Sequence, residues 1–443
     1  MLVLFHFSVG LGCSSFSTFF FTKDELAAES NNDAAASITV DALTRDHPKV
    51  REWIETIRYA IEDCGISLLD TAPWYGHGTS EIVVGWALDE TLVQSSSEER
   101  ANDESPPINR EDLCINTKVG RYEADPAQQF DFSREATLAS AKRSLERLFP
   151  GCTNDNDDDN DNHRAYIDVL QLHDPEFSPT LEVLLNETIP AMVECRSRGW
   201  CKALGLTGYP LEVQYQILGH SLEKYGRDAG KIWDQALTYG HFNLHDSSLI
   251  HRRVDPSRES FAAVCHNERM GLLAAAPLSM GLLTHDPPPA WHPAMGSALA
   301  DACREAASVC RGLGVDIATL ALVYAMSHPS LPCTILGMKN VAQVRQAVAI
   351  ARRFRMVDWT IPDLTQETIL SFVLTVPERK AHAILSDPEH GPFAGVWSRE
   401  TADDYDGHGI FAPKFQWDGI REAHDFWEAQ GAPFDDWQEK SFR

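Results

Sequence analysis

Short apolar runs recur along the chain, and each is followed by a stretch with helical spacing. The runs are 8–13 (SVGLGC), 66–70 (ISLLD), 113–118 (LCINTK), 166–172 (YIDVLQL), 202–206 (KALGL), 233–239 (WDQALTY), 271–276 (GLLAAA) and 332–336 (PCTIL). They scarcely alternate between polar and apolar residues, which suits strands covered on both faces. Helical patterns lie between them. Residues 50–65 repeat apolar side chains at three- and four-residue spacing and stop at Gly65. Residues 132–149 start at the capping residue Ser133 and carry Lys142, Arg143 and Arg147 toward the end where a helix dipole favours cations. Further helices are expected at about 180–199, 210–225, 246–268, 296–313 and 340–354. Eight strands alternating with helices favour an α/β fold with a closed parallel (β/α)8 TIM barrel over a doubly wound sheet. The doubly wound alternative wants Gly-x-Gly-x-x-Gly between a strand and a helix, and "GLGCSS" (10–15) lacks its third glycine.

With 443 residues, the chain has room for such a barrel and for insertions. Segments 22–48, 90–111 and 150–165 are rich in Ser, Asn, Asp and Glu and are expected to be partly disordered insertions. The barrel is assigned to 1–375 and a C-terminal extension to 376–443. The stretch 385–443 holds Trp397, Trp417, Trp427 and Trp437, so it is expected to pack on the barrel rather than float in water. The formal charge of -27 argues against nucleic acid and anionic membranes as partners. "NDNDDDNDN" (154–162) has neither the ligand spacing nor the closing Glu of a calcium loop. The ten cysteines form no Cys-x-x-Cys pair, as expected for buried thiols in a reduced compartment. "MLVLFHFSVGLGC" has no positive n-region and runs into Gly-x-Gly, so it reads as the first strand and not as a signal peptide. The cytoplasm is the expected address, and no metal site is expected.

Strand ends at the C-terminal mouth of such a barrel carry the chemistry. Those ends supply Asp70, Lys118 and His173, and Tyr75 follows in "LLDTAPWYGHGTSE" (68–81). A buried carboxylate needs a partner, and Lys118 supplies one for Asp70. An ammonium beside a phenol favours phenolate and lowers its pKa from about 10. His173 would donate a hydrogen bond to a substrate oxygen beside Tyr75. Such a set moves a proton on or off a carbonyl or alcohol oxygen, and the matching carbon step is hydride transfer to a nicotinamide. Taken singly, each residue has an ordinary structural role. Together, at successive strand ends, they point to catalysis. No Gly-x-Ser-x-Gly elbow supports a serine hydrolase, and no His-Glu-x-x-His supports a metalloprotease.

On these residues the chain resembles the aldo-keto reductases. "DTAPWYGHGTSE", "INTKVGRY" (115–122) and "YIDVLQLHDPEF" (166–177) resemble the family's Asp–Tyr, Lys and His segments. Within the family, "FDFSRE", "HDPEF", "TGYPLEV" and "GLLTHDPPPAWHPA" (281–294) are similar to the L-galactose dehydrogenases, which oxidise C1 of the sugar to a 1,4-lactone. The resemblance implies NAD as cofactor, with NADP left open by Lys339. It implies Tyr75 as general acid/base, Lys118 and Asp70 as its tuning pair, and His173 as the residue that orients the sugar. It places Thr207 and Gly208 at the carboxamide, Thr238 near a Gln of the family's cofactor site, and Pro277, Leu278, Met280, Gly281 and Leu282 over the pyrophosphate. Gly337, Lys339, Gln343 and Gln346 fall at the adenosine end, and Trp74, Trp291 and His292 at the sugar. Ala275 stands where many members stack an aromatic on the nicotinamide, and Ala347 where they carry an Asn. The family's N-terminal hairpin is not evident, as if the chain began short. The implied partner is a small sugar, with the protein a monomer or homodimer. D-arabinose or L-fucose oxidation, NADPH-dependent aldehyde reduction and a cofactor-sensing binding subunit stay open as alternatives.

Overall fold

Eight parallel strands close on themselves in sequence order, so every strand is hydrogen-bonded on both edges. The computed structural model describes residues 8–17, 43–95, 107–122, 128–150, 165–226, 232–251, 259–288, 292 and 294–394. The strands are β1 Ser8–Gly12, β2 Leu68–Asp70, β3 Cys114–Val119, β4 Ile167–His173, β5 Cys201–Gly208, β6 Gln235–Tyr239, β7 Gly271–Ala275 and β8 Cys333–Gly337. The register sets Gly12 beside Asp70 and Gly337, Asp70 beside Asn116, Lys118 beside Gln171, and His173 beside Thr207. Side chains alternate across each strand. One set faces the helices and joins the large outer core. The other fills the barrel, where Leu237, Leu273, Cys333 and Ile335 cluster with Leu68 and Ala275.

The helices in chain order are α1 Pro48–Glu62, α2 Thr79–Ser95, α3 Arg134–Leu148, α4 Ile189–Ser197, α5 Leu211–Tyr225, α6 Phe261–Asn267, α7 Ala298–Gly312, α8 Ile317–Ala325, α9 Val341–Ala351, α10 Gln366–Val373 and α11 Val376–Leu385. Side-chain caps fix several starts: Ser133, Ser260, Ser297, Asp316, Asn340 and Thr365 each accept from a backbone N–H in the first turn. A π-helical turn, Leu184–Thr188, leads into α4.

The barrel expected from the sequence is the barrel observed, with three differences in its helices. The helix expected over 246–268 is confined to Phe261–Asn267. Upstream, Asn243 Oδ1 accepts from the amides of His245 and Asp246, and Asp246 Oδ1 accepts from the amide of Ser248. These local side-chain bonds favour turns over helix. Second, α2 was not delimited from the sequence, and it runs to Ser95, beyond the start assigned to the 90–111 insertion. Third, α8 follows α7 where no separate helix was delimited. Most of the three insertions, and all four tail tryptophans, lie outside the described residues. The described part of the extension includes α11, which docks on α7 and buries Ala381 and Leu385. Glu378 in α11 accepts twice from Arg353, at 2.8 and 2.9 Å. No disulfide joins the described cysteines. Among the described residues, no single helix is long and apolar enough to cross a membrane.

Helix α2 approaches the end of α3 so closely that a Cβ at Gly85 would overlap the Arg147 carbonyl oxygen. Backbone cannot yield as a flexible side-chain tip can. Gly85→Ala is therefore expected to lower stability by about 1–3 kcal/mol despite the better helix propensity of alanine, read as the midpoint of urea unfolding.

Candidate active site

Asp70 and Lys118 are inward residues on adjacent strands, and both are almost completely buried. Lys118 Nζ has three protons, and each finds an acceptor. It donates to Asp70 Oδ2 at 2.7 Å, to the Thr71 carbonyl at 2.8 Å and to the Tyr75 hydroxyl at 3.2 Å. Asp70 Oδ1 accepts from Gln171 Nε2 at 2.8 Å. Burial is the largest single effect and lowers the lysine pKa, but the Asp70 carboxylate and the Tyr75 hydroxyl together outweigh it and the net shift is upward. The pair is thus charged and fully hydrogen-bonded in a region that tolerates charge only on those terms.

Tyr75 reaches this pair through a turn. Gly76, His77 and Gly78 all have positive φ, at 62°, 54° and 99°. That conformation is open to glycine and strained for most other residues, which accounts for the two glycines of "YGHG". Ser80 pins the segment by donating to the Cys13 carbonyl at 2.8 Å. The His173 ring stands edge-on to Tyr75, with centroids 6.2 Å apart. Burial pushes the His173 imidazole down to about 3, so it is neutral at physiological pH. Its Nδ1 has no hydrogen-bond partner among the described residues. Burial also raises the Tyr75 pKa, and Lys118 only partly offsets that rise. The sequence reading that the ammonium makes this phenol more acidic than a free tyrosine is therefore corrected. Lys118 does pull in that direction, but desolvation of the hydroxyl is larger.

Four residues at the mouth were not singled out from the sequence. Arg121 Nη1 donates to Asp174 Oδ2 at 2.7 Å, and its guanidinium lies 4.0 Å from the centre of the Trp74 ring. Asp174 Oδ2 is also 3.7 Å from His173 Nε2. Asp174 has a left-handed backbone, with φ of 47°. Glu176 is buried, and burial followed by the nearby Asp174 charge holds its carboxyl well above the usual range. Burial, followed by the Asp174 charge, raises the Tyr239 hydroxyl well above its ordinary range. The strings "GRY" and "HDPEF" contain the first three, but only the folded register brings them to His173.

The remaining expected positions divide into two groups. Thr207 is inward, beside His173. Gly208 is on the opposite face, where a Cβ would come within 2.7 Å of Glu176 Oε2. On β6 the alternation that turns Leu237 inward puts Tyr239, and not Thr238, among the barrel-facing side chains. Residues 277–282 form the loop after β7, with Ala276, Ser279, Met280 and Gly281 all at positive φ. His245 Nε2 contacts Ser279 Oγ at 2.8 Å, and His292 Nε2 contacts the Ser279 carbonyl at 3.1 Å. His292 is therefore engaged in bracing this loop from within. Trp291 lies outside the described residues. At the end of β8, a Cβ on Gly337 would meet nothing within 4 Å, so open space adjoins the mouth there. Further along, Gln343 Oε1 accepts from the Lys339 amide at 2.8 Å and Gln346 Nε2 reaches Thr319 at 3.5 Å. Among the described residues, no group of three or more His, Cys, Asp or Glu side chains is placed to hold a metal ion.

A family model described as "Aldo/keto reductase family" matches residues 44–366. The chain belongs to the aldo/keto reductase family. It is 31% identical over 296 residues to L-galactose dehydrogenase of Arabidopsis thaliana, covering 67% of this chain and 76% of that protein. It is 29% identical over 305 residues to D-arabinose 1-dehydrogenase of Saccharomyces cerevisiae, covering 68% and 77%. In fold it is similar to an aldo-keto reductase from Bacillus halodurans, with a TM-score of 0.51, 19% identity and 84% and 91% coverage. A glycerol dehydrogenase from Gluconobacter oxydans matches at the same TM-score of 0.51 and 19% identity, over 87% and 92%. Membership of the aldo/keto reductases makes the protein one of a family of oxidoreductases and agrees with the (β/α)8 barrel.

Burial holds His173 at about 3, and His245 and His328 at about 4. An unfolded imidazole takes up a proton near pH 6.5, whereas these do not, so each penalises the folded state as pH falls below that value. Glu176 opposes them, because its folded carboxyl keeps a proton that the unfolded one loses above about pH 4.5. Burial lowers His292 and His382 as well, so five imidazoles against one carboxyl leave a net loss of stability as pH falls below 6.5, of up to about 1.4 kcal/mol per pH unit for each unbalanced group. Denaturant midpoints measured below that value should fall with pH.

Proposed function

We propose that this aldo/keto reductase is a nicotinamide-dependent aldose dehydrogenase that oxidises the C1 hydroxyl of L-galactose to the 1,4-lactone, with NAD as cofactor. The observation that carries the reading is the Lys118 ammonium, anchored on Asp70 and donating to the Tyr75 hydroxyl beside a neutral His173. The similarity to L-galactose and D-arabinose dehydrogenases supports a sugar as substrate.

The residues present fit a dinucleotide. The inward positions Ala275 and Gly337 are small, and the space beside Gly337 is open. The loop after β7 is held in one strained conformation before any ligand arrives. Thr207 at the barrel centre, residues 277–282, and Gly337 with Lys339 are the groups that would hold the cofactor. When bound, the nicotinamide ring supplies the acceptor for the hydride leaving C1. Lys339 is a single cation at the adenosine end, and Arg345 is occupied by Tyr59 at 3.0 Å, which supports NAD over its 2′-phosphorylated form.

This chain's own part is proton transfer and orientation. Tyr75 accepts the proton of the C1 hydroxyl as the C–H bond breaks. Lys118 stabilises the phenolate that forms, and Asp70 keeps Lys118 in place. His173, uncharged, orients the sugar oxygen without adding a competing charge. Arg121 and Asp174 stand at the mouth with a donor and an acceptor for the other hydroxyls. D-arabinose or L-fucose is the second reading, favoured by the D-arabinose 1-dehydrogenase relative.

Initial rates of NADH formation with L-galactose, D-arabinose and L-fucose, each with both dinucleotides, test the proposal. L-galactose with NAD is expected to give the highest kcat/KM. A preference for NADPH and aromatic aldehydes would overturn it. Tyr75→Phe is expected to lower kcat by a factor of roughly 10²–10⁴ while dinucleotide binding changes little. Because the Tyr75 pKa lies above its ordinary value, the phenolate fraction grows with pH throughout the neutral range. The oxidation rate should therefore rise from pH 7 to pH 9, and no inflection near pH 6.5 is expected from His173.

A further inference from the structure

The barrel interior contains a row of polar side chains where apolar packing would be cheaper. Asn116 on β3, Gln235 on β6, Gln171 on β4 and Asp70 on β2 are all buried. Asn116 Nδ2 donates to Gln235 Oε1 at 3.5 Å, Gln235 Nε2 to Gln171 Oε1 at 3.3 Å, and Gln171 Nε2 to Asp70 Oδ1 at 2.8 Å. Donors therefore run in one direction and end on the carboxylate that anchors Lys118. A second, independent observation concerns Gly205. It is the register partner of Gln171 on β5. A Cβ at Gly205 would lie 2.8 Å from Gln171 Cγ and 3.0 Å from Val169 Cγ1. The neighbouring strand thus leaves out a side chain where Gln171 lies across the barrel.

We propose that Gln171 is a positioning residue for proton transfer at Tyr75, acting through Asp70. The proposal rests on the reading that Tyr75 moves the substrate proton. Each oxygen of Asp70 has a partner: Oδ1 accepts from Gln171 and Oδ2 from Lys118. With Oδ1 held by the amide, the carboxylate cannot turn both oxygens onto the ammonium. Lys118 therefore keeps one proton on the Tyr75 hydroxyl. An uncharged donor does this without adding a positive charge that would compete with Lys118. Gln235 fixes which way the Gln171 amide faces, because its Nε2 occupies Gln171 Oε1 and leaves Gln171 Nε2 for Asp70.

The charged and titratable groups around this point are Cys13 just after β1, Asp70 on β2, Lys118 and Cys114 on β3, and His173 with Asp174 and Glu176 at the end of β4. Arg121 and Tyr239 complete the set. Gln171→Leu removes none of these charges. Any change in the titration of Tyr75 then reports the geometry of Asp70 and Lys118.

The test compares the full-length protein with Gln171→Leu, Gln235→Leu and Tyr75→Phe. Two readouts are used: the pH dependence of kcat with the sugar the wild type oxidises fastest, and ultraviolet titration of the cofactor-free protein, taking the tyrosinate absorbance that Tyr75→Phe removes. Gln171→Leu is expected to move the rising limb of kcat and the Tyr75 titration to higher pH by about one unit, to lower kcat about tenfold at pH 8, and to leave KM within about twofold. Gln235→Leu should shift both in the same direction by less. If Gln171→Leu lowers thermal stability but leaves both at wild-type pH, Gln171 is structural and the proposal fails. Should Gln171→Leu not fold, an unshifted Tyr75 titration in Gln235→Leu overturns it equally. An active Tyr75→Phe would instead defeat the reading of Tyr75. If no sugar is oxidised, the titration alone decides for Gln171.

Discussion

The ion pair between Lys118 and Asp70 is the constraint around which the mouth of this barrel is built. A buried ammonium and carboxylate are costly to desolvate, and the cost is offset only when each polar atom is satisfied. Here the three protons of Lys118 find a carboxylate, a backbone carbonyl and a phenol, and the two oxygens of Asp70 find an ammonium and an amide. The arrangement dictates its surroundings. β2 must end where it does so that Asp70 lies beside Asn116 and one strand from Lys118. The turn after β2 must be tight enough to return Tyr75 to the same point. Its glycines at 76 and 78 and the Ser80 bond to the Cys13 carbonyl just after β1 are consequences of that demand.

Tyr75 sits in a contest between two effects of opposite sign. Removal of its hydroxyl from water favours the neutral phenol, and the neighbouring ammonium favours the phenolate. In the protein alone burial wins. That balance is useful for a group that both gives and takes a proton. A phenol of low pKa would already be ionised at neutral pH and have no proton to give in carbonyl reduction, whereas one left unassisted would be a poor base for alcohol oxidation. The ammonium narrows the gap without closing it, and the direction of the reaction is then set by what else binds in the site.

Much of this was legible in the sequence because it depends on strand ends and local spacing. The eight apolar runs and the residues that terminate them located Asp70, Lys118 and His173, and the Gly-rich turn located Tyr75. What escaped depends on register and on the balance of opposed energies. Arg121 and Asp174 are 53 residues apart, and nothing in either string announces their ion pair. Thr238 and Tyr239 differ by one position, and only the pleat of β6 decides which of them faces the barrel. His292, expected among the sugar contacts with Trp74 and Trp291, is nearly completely buried and braces Ser279, and only the fold shows that. The helix expected over 246–268 failed for a local reason: Asn243 and Asp246 bond to the backbone just ahead of them. The direction of the Tyr75 shift needed the extent of its burial, which no sequence pattern encodes.

The local charge at the mouth contrasts with that of the whole chain. The protein carries a formal charge of -27, but the groups that face the reacting centre nearly cancel. Lys118 balances Asp70, and Arg121 balances Asp174. Burial and the Asp174 charge push Glu176 toward its neutral form, and burial keeps His173 neutral. A phosphorylated or carboxylated substrate would find no unpaired cation among these groups and would approach through an acidic exterior. An uncharged polyol meets no such barrier, and it can exchange hydrogen bonds with a guanidinium, a carboxylate, an imidazole and a phenol in turn. Near-neutrality at the site thus selects by charge before any hydroxyl pattern is read. On the proposed reading, this near-neutrality suits an uncharged sugar better than a sugar phosphate or sugar acid, on electrostatic grounds that are independent of similarity to any relative.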